Sequence, residues 1–426
     1  MTTPATQLVQ IEKPVYGGAF LARVAGKAVF VPLTLPGERA RVRITDDKRG
    51  YATAEAEEIV VAAPERIVPT CRHFGACGGC SYQHTDYGTQ LAFKRAILRE
   101  TLERAGVHAP EKIEVLSADP WGYRNRIRLA FDAQGSPGYR GRRSHAVVSV
   151  SECPISAPLL VESAKAFAKM KPEFAPALRP TELAFFCDAG ETSMLGSVFV
   201  ATPEKSGFEK FAGALAERIP ALRGAELVLE GHKGQHPRTI ARWGAASLVY
   251  RAAGFDYRVD HGAFFQVNRW LVDALADWVT AGRKGALAWD LFAGVGLFAR
   301  RLAAGFDSVV AVESAPATLA ALEQNLSGTT SVAVKADALA FLRKPNKERP
   351  DLIIVDPPRA GLGAEITALL GSVAAPELVY VSCDPATLAR DLRMLMSSGY
   401  VIESVTLADL FPQTFHLETM VRLRHA

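Results

Sequence analysis

From about residue 259 onward the sequence alternates between strand-like and helix-like segments, and this alternation constrains the fold more than any other feature. Short apolar runs that predict strands lie at 286–291, 308–313, 331–336, 351–355 and 378–382. Helical spacing occupies the intervals, for example 316–326 and 387–398, and two more strand-like runs follow at 401–407 and 419–423. Strands that alternate with helices in this way predict an α/β fold with a doubly wound, mainly parallel sheet.

The first three strands of this series end in residues that are typical of a nucleoside-binding site. The segment Asp290-Leu-Phe-Ala-Gly-Val-Gly296 follows the first strand, and its glycines allow the backbone to approach a ligand closely. Glu313 ends the second strand, where a carboxylate can accept from both hydroxyls of a ribose. Asp337 follows the third strand, where it can accept from an adenine amino group. Because the three-glycine dinucleotide pattern is incomplete, the spacing favours S-adenosylmethionine over a dinucleotide.

Cys383 lies where the fifth strand of the series ends and a helix begins. A lone cysteine is more often a small buried residue, but the N-terminus of a helix favours the thiolate and so predicts a nucleophile here. Glu418 precedes the last strand, and a carboxylate near a thiolate and a methyl donor fits one reaction well. A thiolate that adds to carbon 6 of uracil activates carbon 5 for methylation, after which a base must remove the carbon-5 proton.

The N-terminal half has a different organisation. Residues 1–64 contain short alternating strands separated by turn signals, which predict a small β-barrel. A cysteine-containing loop, a helix at 91–105 and a mixed strand and helix region follow. The sequence therefore predicts three domains, which are a barrel at 1–64, a central domain at 65–90 and 119–258, and the α/β domain at 91–118 and 259–426.

Six arginines lie between Tyr123 and Arg143, interleaved with three aromatic residues and opposed by a single aspartate. Arginines with aromatic residues suit contacts to phosphates and unstacked bases, although a solvated strand face with a hairpin at 134–137 explains the pattern equally well. The net charge of +4 adds only weak support for a polyanionic partner. The candidates for RNA contacts are Arg124, Arg126 and Arg128.

Three cysteines are closely spaced in Cys71-x5-Cys77-x2-Cys80. This spacing is compatible with either zinc or an iron–sulfur cluster, whereas a disulfide framework is not expected in a large cytoplasmic chain. Cys187 has no such pattern and is predicted to be a core thiol. We expect a cytoplasmic location, because the first 18 residues do not resemble a signal peptide and no apolar run is long enough to span a membrane.

Taken together, the motifs resemble those of the RNA uracil-C5 methyltransferases, and the resemblance covers nearly the whole chain. The matching segments are the Asp290–Gly296 heptapeptide, Phe264-Phe-Gln-Val-Asn268, Asp356-Pro-Pro-Arg359, Ser382-Cys-Asp-Pro-Ala-Thr-Leu388 and His416-Leu-Glu-Thr419. The resemblance implies that Cys383 is the nucleophile and that Glu418 is the general base. It also implies that S-adenosylmethionine is held by Gln266, Phe292, Gly294, Glu313, Asp337 and Asp356.

Further features are similar to the ribosomal-RNA branch of that family. Residues 1–64 look like a TRAM domain, an OB-type barrel that binds RNA. The resemblance implies a [4Fe–4S] cluster with the ligands Cys71, Cys77, Cys80 and Cys153. The implied function is methylation of carbon 5 of a uridine in large-subunit (23S) ribosomal RNA, with that RNA as the partner and with neither a membrane nor an obligate protein partner.

The chain departs from the family pattern at two positions, and two alternative functions remain open. Asp384 and Leu297 stand where the family commonly has asparagine, and the extra charge of Asp384 is expected to raise the pKa of the neighbouring thiol. One alternative is a transfer-RNA member of the same family, which typically lacks both the barrel and the cluster. The other is a non-catalytic iron–sulfur protein that binds RNA, which should lack the nucleophile, the base or the donor carboxylates.

Overall fold

The structure, a computed structural model, describes residues 6–175, 177–231, 236–345 and 348–426. Residues 1–5 of the predicted barrel, 176 and 232–235 of the predicted central domain and 346–347 of the predicted α/β domain lie outside the described residues. Across the described ranges, every helix is too short or too polar to serve as a membrane span.

The N-terminal strands close into a barrel, which confirms the expectation for this part of the chain. They are β1 (Thr6–Val15), β2 (Ala19–Val24), β3 (Lys27–Pro32), β4 (Arg39–Asp47) and β5 (Tyr51–Val61). Their order around the barrel is β1-β2-β3-β5-β4, and β3 runs parallel to β5. Alternate side chains such as Val9, Ile11 and Phe20 point inward and form an apolar core that belongs to the barrel.

The next segment leaves the barrel and packs on the C-terminal sheet. It contains α1 (Tyr87–Arg104) and β6 (Glu114–Leu116). Asp86 caps α1, because its side chain accepts a hydrogen bond from the backbone of the first turn. Ile97 and Leu98 of α1 belong to the same apolar cluster as Trp289 and Tyr380 of the C-terminal sheet.

The central region forms a mixed sheet with helices packed on it. Its elements are β7 (Arg126–Phe131), β8 (Pro137–Arg140), β9 (Val147–Ser149), α2 (Pro158–Phe174), β10 (Pro180–Cys187), β11 (Met194–Val200), α3 (Phe208–Arg218), β12 (Leu222–Leu229) and β13 (Arg238–Gly244). The strand order is β13-β12-β11-β10-β7-β8-β9. The β7–β8 hairpin turns where the sequence predicts it, and Phe167 of α2 meets Phe211 of α3 edge-on in the core.

The C-terminal region confirms the alternation of strands and helices. A hairpin of β14 (Ser247–Ala252) and β15 (Phe255–Asp260) precedes α4 (Val272–Thr280), β16 (Gly285–Leu291), α5 (Leu297–Leu302), β17 (Phe306–Glu313), α6 (Pro316–Asn325), β18 (Val332–Lys335), α7 (Ala338–Arg343), β19 (Leu352–Val355), α8 (Gly363–Val373), β20 (Glu377–Ser382), α9 (Pro385–Ser397), β21 (Tyr400–Ala408) and β22 (Glu418–His425). The order in the sheet is β18-β17-β16-β19-β20-β22-β21-β6, in which β18 to β20 are parallel and β22 is antiparallel to both neighbours. The chain order reverses between β16 and β19, and a ligand crevice is expected at such a reversal.

Candidate active site

The predicted site residues gather at one edge of the C-terminal sheet. The parallel strands all end at this edge, and β22 begins there because it runs in the opposite direction. Following the strand order, the residues at the edge are Asp337 after β18, Glu313 at the end of β17, Asp290 and Phe292 around the end of β16, Asp356 after β19, Cys383 after β20 and Glu418 at the start of β22. The topology therefore places the predicted donor residues on one side of Asp356 and the predicted reacting side chains on the other.

The strand register places Cys383 opposite Glu418. Ser382 of β20 pairs with Thr419 of β22 in an antiparallel ladder. Cys383 is the residue after Ser382 and Glu418 is the residue before Thr419, so both lie just beyond the last pair of the ladder at the same end, and the charge of Glu418 acts on the Cys383 thiol. Glu418 is only 6% exposed, whereas Cys383 is partly exposed. The structure therefore brings the predicted nucleophile and the predicted base together.

The electrostatic environment of Cys383 corrects the expectation of a thiol with a low pKa. Burial raises the pKa of Cys383 to about 11, and the carboxylates of Glu418 and Asp356 contribute in the same direction. The N-cap of α9 is Asp384, whose Oδ1 accepts from the backbone N–H groups of Ala386 and Thr387, so the helix terminus is already satisfied by an acidic side chain. At neutral pH Cys383 of the free protein is therefore mainly a protonated thiol.

The carboxyl groups at this edge also resist ionisation. Burial raises the pKa of Asp290 and that of Asp356 to about 7. The negative charges of Asp356 and Glu313 also contribute to the raised pKa of Asp290. The pKa of Glu418 lies well above its ordinary value, because the residue is buried and faces Asp356. Crowded carboxyl groups in a dry site are suited to holding and exchanging protons near neutral pH.

Arg359 and His416 are site residues to which the sequence analysis assigns no role. The guanidinium of Arg359 faces the acidic edge and opposes the rise in the pKa values of Cys383 and Glu418. Its Nη2 lies 2.8 Å from Nδ1 of His416, and burial together with Arg359 lowers the pKa of His416 to about 4. His416 is therefore neutral and accepts at Nδ1. Thr387 Oγ1 donates to the carbonyl oxygen of Arg359 and so fixes its backbone against α9.

The segment that leads into Glu418 is held by α1. Nζ of Lys94 donates to Oδ1 of Asp409 at 2.5 Å and to the carbonyl oxygen of Phe411 at 2.9 Å, and both charged side chains are fully buried. Nε2 of Gln90 donates to Oε1 of Gln413 at 2.9 Å. A buried ion pair that also satisfies a backbone carbonyl fixes geometry, and here it fixes the approach to Glu418.

The loop after β16 has the properties of a donor-binding site. Gly294 has φ +56 and donates its N–H to Oε2 of Glu313 at 2.9 Å, which ties the glycine loop to β17. Oδ2 of Asp290 accepts from the N–H of Ala299, whereas its buried Oδ1 has no partner among the described residues. An unpartnered buried carboxylate oxygen beside a glycine loop fits a positively charged ligand with hydrogen-bond donors, which is the chemistry of S-adenosylmethionine.

The remaining predicted donor residues are Asp337, Phe292 and Gln266. Asp337 caps α7 by accepting from Ala340, and Phe292 has a positive φ of +77 at the turn after β16. Gln266 comes from the segment between β15 and α4, next to the exposed ring of Phe264, and its carbonyl oxygen accepts from the Asn125 side chain.

The four predicted cluster ligands line one small cavity. Cys71, Cys77, Cys80 and Cys153 line a cavity of about 20 Å³ together with Arg124. Burial raises the pKa of Cys80 to about 12 and raises those of Cys71 and Cys77. Within the described part of the chain, no three His, Cys, Asp or Glu side chains converge closely enough to hold a metal ion. As predicted for a core thiol, Cys187 is fully buried.

The basic stretch is divided between the interior and the surface, which corrects part of the expectation for it. Arg124 faces the cysteine cavity, and Tyr123 is fully buried, so neither is displayed for base stacking. Arg126 packs over the ring of Phe186 and donates to the backbone. Arg128 is exposed on β7, where it forms an ion pair with Glu182 and packs over the ring of Phe199.

Comparison with known proteins matches both ends of the chain to established families. Residues 345–426 match the family model tRNA (Uracil-5-)-methyltransferase, and residues 3–56 match the TRAM domain. The 23S rRNA (uracil(1939)-C(5))-methyltransferase RlmD of Halomonas elongata is 33% identical, covering 96% of this chain and 88% of the relative. RlmD of Chromohalobacter salexigens is 34% identical, with coverage of 97% and 88%.

A solved structure shares the complete fold. The tRNA (uracil-54, C5)-methyltransferase of Pyrococcus abyssi, solved with S-adenosyl-L-homocysteine, superposes with a TM-score of 0.78 at 23% identity and covers 98% of this chain and 100% of that one. The fold, the TRAM barrel and the full-length similarity to the RlmD proteins lead to one conclusion: the chain belongs to the family of RNA uracil-C5 methyltransferases.

Proposed function

We propose that this protein transfers a methyl group from S-adenosylmethionine to carbon 5 of a uridine in 23S ribosomal RNA, through a covalent adduct with Cys383. The observation that supports the chemistry is the pairing of Ser382 with Thr419, because Cys383 follows the one and Glu418 precedes the other at the sheet edge that also carries Asp290 and the glycine loop. The ribosomal substrate is supported by the two RlmD relatives, which are named for 23S rRNA. The match to this chain covers 88% of each relative's length.

The side chains at the edge can carry the reaction in sequence. S-adenosylmethionine supplies the methyl group as an electrophile. Cys383 first loses its thiol proton to solvent; Sγ of the thiolate then forms a bond to carbon 6 of the uracil, and the electrons of the 5,6 double bond move toward oxygen 4 and make carbon 5 nucleophilic. After carbon 5 has gained the methyl group, the Glu418 carboxylate removes its proton. The electrons of that C–H bond re-form the double bond and release Cys383.

Entry of the uracil requires that it leaves its stack, because Cys383 is only partly exposed and Glu418 is buried, so a stacked base cannot reach both side chains. Arg359 is the cation that acts on both Cys383 and Glu418, and we assign to it the stabilisation of the negative charge that develops on oxygen 4. A fixed positive group at the point where charge develops stabilises the adduct more than it stabilises the unreacted base.

Transfer RNA is the alternative substrate, because the C-terminal family model and the Pyrococcus relative are both named for it. The test is to incubate the purified protein and S-adenosylmethionine with a 23S rRNA transcript or with a set of tRNA transcripts, and to map 5-methyluridine. We expect one modified uridine in the 23S transcript. If 5-methyluridine forms only in tRNA, the substrate is tRNA and not 23S rRNA. If it forms in neither RNA, the proposed methyltransferase function is refuted.

Replacement of Arg359 with leucine should lower kcat by about 10²-fold, because one preorganised positive group at the developing charge is lost. The pKa of Cys383 should also rise, since Arg359 opposes the effect of the carboxylates. Alkylation of the Cys383 peptide by iodoacetamide as a function of pH, followed by mass spectrometry, measures this shift. Arg393→Leu on the exposed face of α9 is the matched control. An unchanged kcat for Arg359→Leu would exclude Arg359 from the reaction.

We also propose that Cys71, Cys77, Cys80 and Cys153 hold an iron–sulfur cluster. The support is that all four thiols line one cavity beside the Arg124 guanidinium, whose buried Nε has no partner among the described residues. A cluster held by four thiolates is anionic, so an adjacent buried cation fits it. When bound, the cluster would cross-link the loop after β5 to the segment after β9.

The expected result for the cluster is visible absorption from thiolate-bound iron after anaerobic purification, with iron and sulfide in equal amounts. Cys80→Ser should remove the absorption and lower the melting temperature, whereas Cys187→Ser, which lies outside the cavity, should retain it. If the purified protein contains one zinc per chain and no iron, the four cysteines form a zinc site and not a cluster. If it contains neither metal, the proposal that these cysteines bind a metal is refuted.

A further inference from the structure

The guanidinium of Arg359 has a neutral partner at the active-site edge. Its Nη2 lies 2.8 Å from Nδ1 of His416 and donates to it. Within the described part of the chain, no carboxylate forms an ion pair with Arg359, and this is the only hydrogen bond that its side chain makes. Arg359 is also exposed, on the loop that follows β19. Because a guanidinium has five N–H donors, its charge and most of its donors are available to a ligand.

His416 is itself held by its neighbours in the chain. The centroid of its ring lies 4.3 Å from that of Phe415 and 5.6 Å from that of Phe411. Its backbone N–H donates to Oγ1 of Thr414 at 3.2 Å. Burial lowers the pKa of His416 to about 4, so the imidazole is neutral at physiological pH. His416 therefore offers Arg359 an acceptor that is fixed by two aromatic contacts and carries no charge.

The connection between β21 and β22, which carries His416, is fixed by three other parts of the chain. Oε1 of Gln90 in α1 accepts from the N–H of Gln413 at 3.0 Å. The N–H of Ser81, in the loop after the barrel, donates to the carbonyl oxygen of Gln413 at 2.8 Å. The ring of Tyr16, in the turn after β1, meets that of Phe415 edge-on with centroids 5.8 Å apart. Because these contacts come from separate elements, the connection cannot shift without breaking several of them.

We propose that His416 is a positioning residue of the methyl-transfer reaction, whose neutral imidazole holds the guanidinium of Arg359 in place without compensating its charge. This inference rests on the proposed function and adds to it a reason for a histidine at this position. An arginine without a partner would lose rotamer freedom whenever it met the substrate. A carboxylate partner would hold the guanidinium but would also pair with its charge, which would weaken its attraction for the negative charge that develops on the uracil.

Two substitutions of equal size in the full-length protein test the role of the charge. His416→Asn presents a neutral oxygen close to the position of Nδ1, whereas His416→Asp presents a charged oxygen at the same place. We expect kcat for methyl transfer to 23S rRNA to be about tenfold higher for the asparagine variant, because the aspartate pairs with the guanidinium. His108→Asn and His108→Asp, on the exposed loop after α1, are the matched controls and should not differ. An equal kcat for the two variants at position 416 would overturn the proposal.

A double-mutant cycle tests whether His416 acts through Arg359. His416→Phe keeps a ring against Phe415 and removes the acceptor. We expect it to lower kcat about tenfold, the effect of losing one hydrogen bond to a charged group, without changing KM for S-adenosylmethionine. In an Arg359→Leu background the same substitution should have less than about a twofold effect, because the donor is already lost. An equal loss of kcat in both backgrounds would overturn the proposal and leave His416 as a packing residue.

Alkylation of Cys383 in the absence of RNA and methyl donor gives a readout that does not depend on the proposed function. Arg359 opposes the rise in the pKa of Cys383, so His416→Asp should move the pH profile of alkylation to higher pH than His416→Asn does. This difference should shrink in the Arg359→Leu background, and a difference of the same size there would overturn the proposal. If the parent protein forms no 5-methyluridine, the proposed function fails, while alkylation still decides whether the residue at position 416 controls the charge of Arg359.

Discussion

Replacement of Cys383 with alanine should reduce methyl transfer to RNA by at least about 10⁴-fold, because carbon 5 of uracil is a poor nucleophile until a thiolate has added to carbon 6. Non-covalent binding of RNA and of the donor should persist, since the substitution removes only one small side chain. The measurement is incorporation of labelled methyl groups into 23S rRNA under single-turnover conditions. Cys187→Ala is the matched control, because its thiol is buried in the central core, and it should lower stability without lowering the transfer rate. Methyl transfer at the parental rate by Cys383→Ala would rule out the covalent mechanism.

The rate at which the Cys383 thiol is alkylated should increase with pH. The pKa of Cys383 is raised to about 11, so below that value the thiolate fraction should increase roughly tenfold for each unit of pH. Alkylation of the Cys383 peptide in the free protein should follow this slope from about pH 7 to pH 10. A plateau that begins near neutral pH would instead indicate a thiol with a low pKa. The expected slope means that RNA binding must assist deprotonation, for example by bringing Arg359 and the polarised uracil against Sγ.

The sequence predicts the sheet and its functional edge well, for a physical reason. Glu313, Asp356 and Cys383 each follow a short apolar run directly, and parallel strands necessarily end at a common edge. The position of Glu418 at the same edge follows from a register that only the structure displays, in which Ser382 pairs with Thr419. Residue type and position along the chain were therefore sufficient to predict which residues lie at the edge. The closeness of the nucleophile to the base could be seen only from the pairing of β20 with β22.

Features that depend on contacts between distant segments were not predictable. Arg359 and His416 meet across 57 positions of the chain, and the ring of Tyr16 beside the barrel meets that of Phe415 beside the C-terminal sheet. The raised pKa of Cys383 likewise comes from burial and from two carboxylates that other strands contribute. The inward orientation of Arg124 reflects the cysteine cavity, which a pattern of basic residues cannot reveal.

Replacement of Glu418 with glutamine should convert the enzyme into one that reacts with RNA once and remains attached to it. Glutamine has the same shape but cannot take the carbon-5 proton, so the methylated uracil should stay bonded to Sγ of Cys383. Turnover should fall by about 10²–10⁴-fold, while an adduct with RNA appears as a slowly migrating, nuclease-sensitive species on a denaturing gel. Cys383→Ala combined with Glu418→Gln should form no such species, and Glu403→Gln on the exposed part of β21 should turn over normally. Normal turnover by Glu418→Gln without an adduct would assign proton removal to another group.

The stability of Glu418→Gln separates a chemical role for this residue from a structural one. The carboxyl group is 6% exposed, and its pKa in the folded protein lies well above the ordinary value. A group with a raised pKa in the folded state makes the protein less stable as pH rises through the ordinary pKa toward the folded one, because the unfolded chain ionises first. Glutamine removes this ionisation. The variant should therefore match or exceed the parent in melting temperature near neutral pH, and the difference should grow with pH until the folded carboxyl group itself ionises. A destabilised variant would mean that Glu418 holds the strand ends together, and only the combination of full stability with a trapped adduct identifies it as the base.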